Sequence, residues 1–248
     1  MKRYNSATKN LTYFFYRLVR PVIDPIKIFQ GIRGYFWYTR DILVYKIKSP
    51  QTKLLNLNLF PVLDEKVSFT PFDAHYYYQQ LWCFENVMKH KPKQHTDIGS
   101  TYQMSGYLSK IVKTTFIDYR PIQTQLKNLT IRRGNILNLK LKDSSVESLS
   151  CLHTIEHIGL GRYGDPIDPE GTKKACKELV RVLKKRGRLY LSVPIGKEQV
   201  YFNAHRVHKP QTIIKFCKGL KLISFSVVDD QGNFHKNGDY KKSSNACL

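Results

Sequence analysis

At 248 residues, 42% of them hydrophobic, the chain can bury a sizeable core as one full domain with an appendage or as two small domains, which excludes disorder as its default state. Its net charge of +22 says nothing about fold but implies polyanionic neighbours: nucleic acid, anionic lipid or phosphorylated substrates. The five cysteines (Cys83, Cys151, Cys176, Cys217, Cys247) form no CxxC pair, which argues against a disulfide framework or a zinc ribbon and for a reducing, cytoplasmic compartment. No apolar run approaches the length of a bilayer span. The N-terminal stretch from Leu11 to Val19 is broken by Arg17 and lacks a small-residue cleavage site, so a secretory signal is not expected.

Residues 1–50 hold ten Lys/Arg against two acids, a net of +8, interleaved with eleven aromatics that include Phe14, Phe15 and the run Tyr35-Phe36-Trp37-Tyr38. Two helices are expected there, Asn10 to Arg20 and Pro25 to Ile47, separated by Pro21 and Pro25. Basic side chains beside aromatics suit an anionic membrane surface, where the rings sit at headgroup level. The same residues would serve as a lid on the following domain, or as an RNA-binding arm that stacks bases and contacts phosphates. Residues 51–72 read as loop and short extended pieces, and a helix is expected over 73–90 with Asp73 as its N-cap.

Beyond residue 90 short apolar strands alternate with helices. Strands are expected at Gln94–Ile98, Thr114–Asp118, Leu129–Arg132, Ser148–Leu152, Arg188–Val193 and Lys221–Val228, with helices at Tyr102–Ile111, Glu170–Leu183 and Gln211–Lys218. For the second of these helices Asp168 is the expected N-cap, Pro169 the first residue, and Gly187 the stop after Lys184-Lys185-Arg186. The alternation implies βαβ units. The expected fold is therefore α/β, a Rossmann-like doubly wound and mostly parallel sheet over residues 73–248, preceded by a basic, aromatic-rich helical extension over 1–72. Ligands of such a sheet lie beyond the carboxyl ends of its strands.

Four motifs fall at those ends. His95-Thr-Asp97-Ile-Gly99-Ser100 closes strand one, where a glycine allows close backbone approach to a ligand and the helix start offers N–H groups. Asp118, followed by Tyr119, lies 21 residues after Asp97, at the offset where a carboxylate accepts bonds from two ribose hydroxyls. Arg133-Gly134-Asn135-Ile136 follows strand three, where Asn135 either meets an adenine amino group or simply makes a turn. His153-Thr-Ile-Glu156-His157-Ile-Gly-Leu-Gly161-Arg162-Tyr163-Gly164-Asp165-Pro166 packs titratable groups and glycines into the loop after strand four.

In this order the motifs resemble those of class I S-adenosylmethionine-dependent methyltransferases, as does the block from Leu179 to Pro194. The pattern Glu156-His-Ile-Gly-Leu-Gly-Arg-Tyr-Gly-Asp-Pro, with Val193-Pro-Ile-Gly, Asn203-Ala-His-Arg206 and Val228-Asp-Asp-x-Gly232, is similar to a methyltransferase-like family labelled domain of unknown function 268. That family occurs in nematodes and beside bacterial surface-polysaccharide genes. The resemblance implies S-adenosyl-L-methionine as cofactor, held by Asp97, Gly99, Ser100, Asp118, Tyr119, Asn135 and Ile136. It does not supply the substrate; the expected acceptor is a small molecule or glycan, with RNA modification or non-catalytic binding as alternatives. It also implies a final antiparallel strand between strands five and six; the chain reaches only Ser243–Leu248 where that strand would begin, so the strand is expected to be missing.

The candidates for a base near neutral pH are Glu156, His157, His205 and His208. His153, Glu156 and His157 have the spacing of one helical face, and a later histidine would complete a metal set resembling that of some methyltransferases. The preferred reading is metal-free, with Glu156 and His157 bonding backbone and water around the donor pocket. The expected place of the protein is cytoplasmic, peripheral at the inner membrane surface through residues 1–50.

Overall fold

The computed structural model describes residues 7–51, 57–239 and 246–247. The chain divides into two compact units, Met1–Pro71 and Phe72–Leu248. In the first, α1 (Ala7–Val19) and α2 (Pro25–Lys48) are both close to the expected bounds. The Asp24 side chain caps α2 by accepting from the N–H groups of Ile26 and Lys27, and a proline opens the helix where its missing donor costs nothing. The described part of residues 57–71 has no regular structure.

The second unit begins with α3 (Ala74–His90), capped by Asp73 as expected. Then follow β1 (Gln94–Ile98), α4 (Tyr102–Leu108), β2 (Lys113–Asp118), β3 (Leu129–Arg133) and β4 (Val146–Leu152). The next elements are α5 (Gly171–Val182), β5 (Leu183–Ser192), β6 (Pro194–Ile195), β7 (Gln199–Tyr201), β8 (His205–Val207) and α6 (Pro210–Phe216). The unit closes with β9 (Val227–Asp229), β10 (Phe234–His235) and β11 (Ala246–Cys247). The main sheet runs β3-β2-β1-β4-β5 with every pair parallel, the Rossmann-like, doubly wound arrangement.

Both faces of this sheet are covered, as parallel strands require. On one face Ile98, Leu149, Cys151 and Ile155 pack with Ala175, Cys176, Leu179 and Val182 of α5. On the other, Leu152 and Tyr190 pack with Cys83 and Val87 of α3 and with Met104 and Leu108 of α4.

The structure corrects four expectations. The last strand is present: Ala246 pairs antiparallel with Ile195 and with Asp229, so β11 lies between β6 and β9 in the place the class I resemblance implies. Ser243–Asn245 and Leu248, named with it, lie outside the described residues. Helix α5 starts at Gly171; Asp168 instead accepts the Glu170 N–H at 2.9 Å, in the turn that precedes it. It ends at Val182, before the basic residues, because Leu183 is already extended and pairs with Val146. Lys184 to Gly187 then form an irregularity in register between Val146 and Ser148, with Arg186 in the left-handed region at φ 64°. Strand six is only Val227–Asp229, and α4 stops at Leu108, three residues earlier than expected.

Candidate functional site

Strands β1 and β4 are neighbours although β2 and β3 intervene in sequence, so the crossovers leave the sheet in opposite directions at this point. Beyond their carboxyl ends lies the crevice in which such sheets hold ligands. Gly99 stands at its mouth with φ +66°, and a Cβ there would come within 2.6 Å of Thr154 Cγ2. The Thr154 hydroxyl donates to the Gly99 carbonyl at 2.9 Å, tying the turn after β1 to the turn after β4.

Under the crevice runs a buried polar chain. Ser150 Oγ donates to Asp97, so it receives the His95 Nε2 proton at 2.9 Å, and His95 Nδ1 accepts from Ser148 Oγ at 2.7 Å. Burial pushes Asp97 up to about 6, against the Ser150 and Ser100 bonds that favour its charge, and burial lowers His95 to about 4. Asp97 also accepts the Ser100 N–H at 3.3 Å, while the Ser100 hydroxyl accepts the Leu152 N–H at 3.0 Å. Asp97 and Ser100 therefore brace the turn from within, and the N–H expected to meet a ligand is engaged.

The other residues expected to meet the cofactor lie elsewhere along the strand ends. Asp118 ends β2, half-buried; one of its oxygens accepts the Arg120 N–H at 2.6 Å, and the other makes no hydrogen bond among the described residues. Tyr119 is next to it, its ring 5.9 Å from the Arg133 guanidinium. Asn135 uses its side-chain carbonyl to accept the Leu137 N–H at 2.9 Å, the turn role weighed against adenine contact. Ile136 is buried in the core with Leu139 and Ile117, so its side chain serves packing.

The loop after β4 holds the most unusual group. A single 3-10 turn, Ile155–His157, places Glu156 with 0% of its surface exposed. Neither of its carboxylate oxygens has a hydrogen-bond partner. His153 Nδ1 lies 3.4 Å and His157 Nε2 3.7 Å from Oε1, within ion-pair range but without hydrogen-bond alignment. Burial raises Glu156 to about 8, opposed by its own backbone N–H nearby and by the Arg162 charge, so the neutral acid persists at physiological pH. His157 is lowered to about 4, chiefly by burial; its Nδ1 lies 2.6 Å from the Ala204 carbonyl, which fixes the Nε2 lone pair toward Glu156. The pair is thus a neutral acid beside a neutral imidazole. Among the described residues no three His, Cys, Asp or Glu side chains converge to hold a metal ion.

His205 sits in β8 with its ring 4.9 Å from Tyr201, and its charge is one of the influences on His157. His208 goes elsewhere: it lines a cleft of about 350 Å³ with Thr172, Thr212 and Phe216. Sequence reasoning missed several contributors. Tyr76 of α3 places its ring 5.2 Å from His153, and burial followed by the Glu156 charge raises its phenol. Tyr163 has the Arg120 guanidinium 4.3 Å and the Arg162 guanidinium 5.2 Å from its ring centroid, which joins the turn after β2 to the loop after β4 above the crevice. Gln79, accepting from Ser192, buries a further polar group of α3 against the sheet. The sequence of α3 contains the run Tyr76-Tyr77-Tyr78, and nothing in its spacing marks which ring reaches the loop.

The chain is 26% identical over 134 residues to the uncharacterized protein MJ0638 of Methanocaldococcus jannaschii; the match takes in 51% of this chain and 54% of that protein, so the chain spans about half the length of this curated relative. Among solved structures it is similar to the N-methyltransferase NodS of Bradyrhizobium japonicum WM9, determined with S-adenosyl-L-homocysteine: 11% identity, 66% of this chain and 88% of that one, TM-score 0.48. It is similar also to the [4+2]-cyclase SpnF, with 13% identity, 60% of each chain and TM-score 0.47. Residues 135–245, which carry the Glu156–His157 loop, Asn203–Arg206 and the strands from β4 to β10, match the family described as Caenorhabditis protein of unknown function, DUF268.

Proposed function

We propose that this chain is an S-adenosyl-L-methionine-dependent methyltransferase acting on a polyhydroxylated polar acceptor, a sugar or a related intermediate of surface-glycan assembly. Residues 73–248 are its catalytic domain, and residues 1–72 are an extension whose first 50 residues bring it to an anionic membrane surface. The observation that carries the reading is Glu156: a carboxyl group with both oxygens unpartnered, beyond the end of β4 beside the β1–β4 crevice. A buried polar group without partners costs about 1–3 kcal/mol, and a ligand that supplies those partners recovers it. A polyhydroxylated ligand does so, since a neutral carboxyl accepts from one hydroxyl through its carbonyl oxygen and donates its own O–H to another.

The donor side fits in part. The unengaged oxygen of Asp118 suits a ribose hydroxyl, and the Asp118–Arg120 turn that carries it is tied over the crevice through Tyr163. Asn135 and Ser100 contribute backbone shape, since their side-chain acceptors are taken by Leu137 and Leu152 N–H groups. S-adenosyl-L-methionine, when bound, supplies a methyl group on an already reactive sulfonium. What remains for the chain is to align the acceptor, exclude water and receive a proton. His157 Nε2, with Nδ1 committed to Ala204, is the acceptor of that proton. Tyr163 packs edge-on against the His157 ring at 5.7 Å, and Tyr76 lies 5.2 Å from His153.

The test is methyl transfer from isotopically labelled donor into cell extracts, with glycan and RNA fractions kept separate, alongside donor binding by calorimetry. Label in the glycan or small-molecule fraction supports the reading. Label in RNA replaces the acceptor, and absence of donor binding makes the chain a non-catalytic module.

A further inference from the structure

Helix α2 has two unlike faces. On one, Gly34 is buried against Leu63, so closely that a Cβ would stand 2.8 Å from the leucine Cβ. Lys66 crosses the same face, its ammonium 4.4 Å from the Trp37 ring centroid and 2.7 Å from Asp41 Oδ2. Gly34, Trp37 and Asp41 are three and four residues apart, one line along the helix. The segment from Leu63 to Lys66 thus covers this side.

On the other side Ile28, Phe29, Ile32, Phe36, Leu43 and Ile47 recur with the helical period and form a second line. All six are more than half exposed, from 52% for Ile28 to 76% for Ile47. The 24-residue helix is about 36 Å long, so this apolar seam is long as well as bare. Monomeric proteins rarely leave such a contiguous patch without a use for it.

We infer that this seam is the face that enters the headgroup zone of an anionic bilayer. The inference rests on the membrane reading of residues 1–50 and adds which face of which helix makes contact. Charge selects the occupant. Helix α2 carries Lys27, Arg33, Arg40, Lys46 and Lys48 against Asp41 alone, and Asp41 is already engaged by Lys66 and Arg40. A second copy would set like charges side by side along the seam, whereas anionic headgroups meet them. The geometry is that of a helix lying in the interface, apolar side down. No helix among the described residues is long and apolar enough to cross a membrane, in keeping with a flat placement. Phe14, Phe15 and Leu18 of α1, each more than half exposed, supply further apolar contact in the same unit.

The experiment is vesicle co-sedimentation of the full chain and of the double variant Phe29→Ser/Phe36→Ser, using phosphatidylcholine vesicles with and without phosphatidylglycerol. The natural sequence should pellet with the mixed vesicles at low salt and remain in solution with phosphatidylcholine alone. The double variant, with unchanged helix content and donor affinity, should lose at least about tenfold in partitioning, as expected for removing two large apolar groups from lipid. Undiminished pelleting of the variant overturns the seam and leaves the membrane reading on charge alone. Failure of the natural sequence to pellet overturns both, while methyl transfer stands or falls separately on donor binding. A dimer in sedimentation that the double variant abolishes gives the seam to a second copy and also overturns the inference. Phe36→Trp provides a conservative second readout: its added emission should be quenched by brominated lipid, and absence of quenching on bound vesicles counts against the seam.

Discussion

The His157 imidazole is held between two oxygens, with Nδ1 2.6 Å from the Ala204 carbonyl and Nε2 3.7 Å from Glu156 Oε1. A carbonyl only accepts, so Nδ1 carries the proton and Nε2 presents its lone pair. With its pKa lowered to about 4, the ring is neutral at physiological pH, so its Nε2 lone pair is open but only weakly basic. Removing it by His157→Ala should reduce turnover about 10²-fold or more, the usual weight of a positioned base. Donor affinity should change little. Calorimetry beside steady-state kinetics measures both, and an equal fall in the two would move His157 into the donor pocket.

Glu156 makes stability depend on pH in a particular direction. Its folded pKa, about 8, lies above the ordinary 4.5, so the folded chain holds this proton more tightly than the unfolded one. Stability from this group is complete below 4.5 and is lost as pH rises toward 8. Glu156→Gln has no charge to bury and should be more stable than the natural chain by about 1–3 kcal/mol above pH 8. The advantage should shrink to nothing near pH 4.5. Denaturant melts of both proteins across this range decide it; a difference that does not change with pH would mean that water reaches the carboxylate.

The role proposed for Asp118 is to hold the ribose of the donor. One of its oxygens holds the Arg120 N–H, and the other makes no hydrogen bond among the described residues. Asp118→Asn keeps that turn bond and removes the charge, whereas Asp118→Ala removes both. Donor binding should weaken by about 1.5–3 kcal/mol in the alanine variant and less in the asparagine variant, as for a lost charged hydrogen-bond partner. Titration of folded protein is the measurement; unchanged affinity in both variants would remove Asp118 from the site.

The sequence made the central sheet legible because each strand is a short apolar run with a turn at its end. β1 has the expected bounds, and β2 and β3 differ from them by one residue. The errors arose where tertiary contact overrode local signals. Lys184 to Gly187 look like a helix end, yet Leu183 pairs with Val146 and carries the chain straight into β5. Two-residue β11 was illegible because Ala246-Cys247 has no strand pattern of its own and is defined only by its pairing with Ile195 and Asp229. At the site, Glu156 and His157 stood out by residue type. What could not be read was the burial of the Glu156 carboxyl without a partner, since that depends on how loop and sheet close around it. Tyr76 reaches His153 from 77 positions away in the chain, a contact no local pattern encodes.

Arg206 holds the site loop in place without touching the crevice. It is 4% exposed, donates through Nη2 to the Asp168 carbonyl at 2.9 Å and through Nη1 to the Ile158 carbonyl, and lies 3.4 Å from Thr172 Oγ1. These contacts pin both ends of the 158–168 loop to the start of α5. Burial lowers the pKa of this guanidinium, partly offset by the charges of Asp168 and Asp165. A lysine brings the same charge as a single point and cannot span two carbonyls. Arg206→Lys should therefore leave at least one buried carbonyl unpaired, at a cost of about 1–3 kcal/mol, and lower Tm by several degrees. Because the loop carries Arg162 and Tyr163, turnover should fall while donor affinity is retained. Limited proteolysis adds a local readout: cleavage after Arg162 should accelerate in the variant well before global unfolding. Equal cleavage rates with equal Tm would show that the loop holds its shape without this clamp.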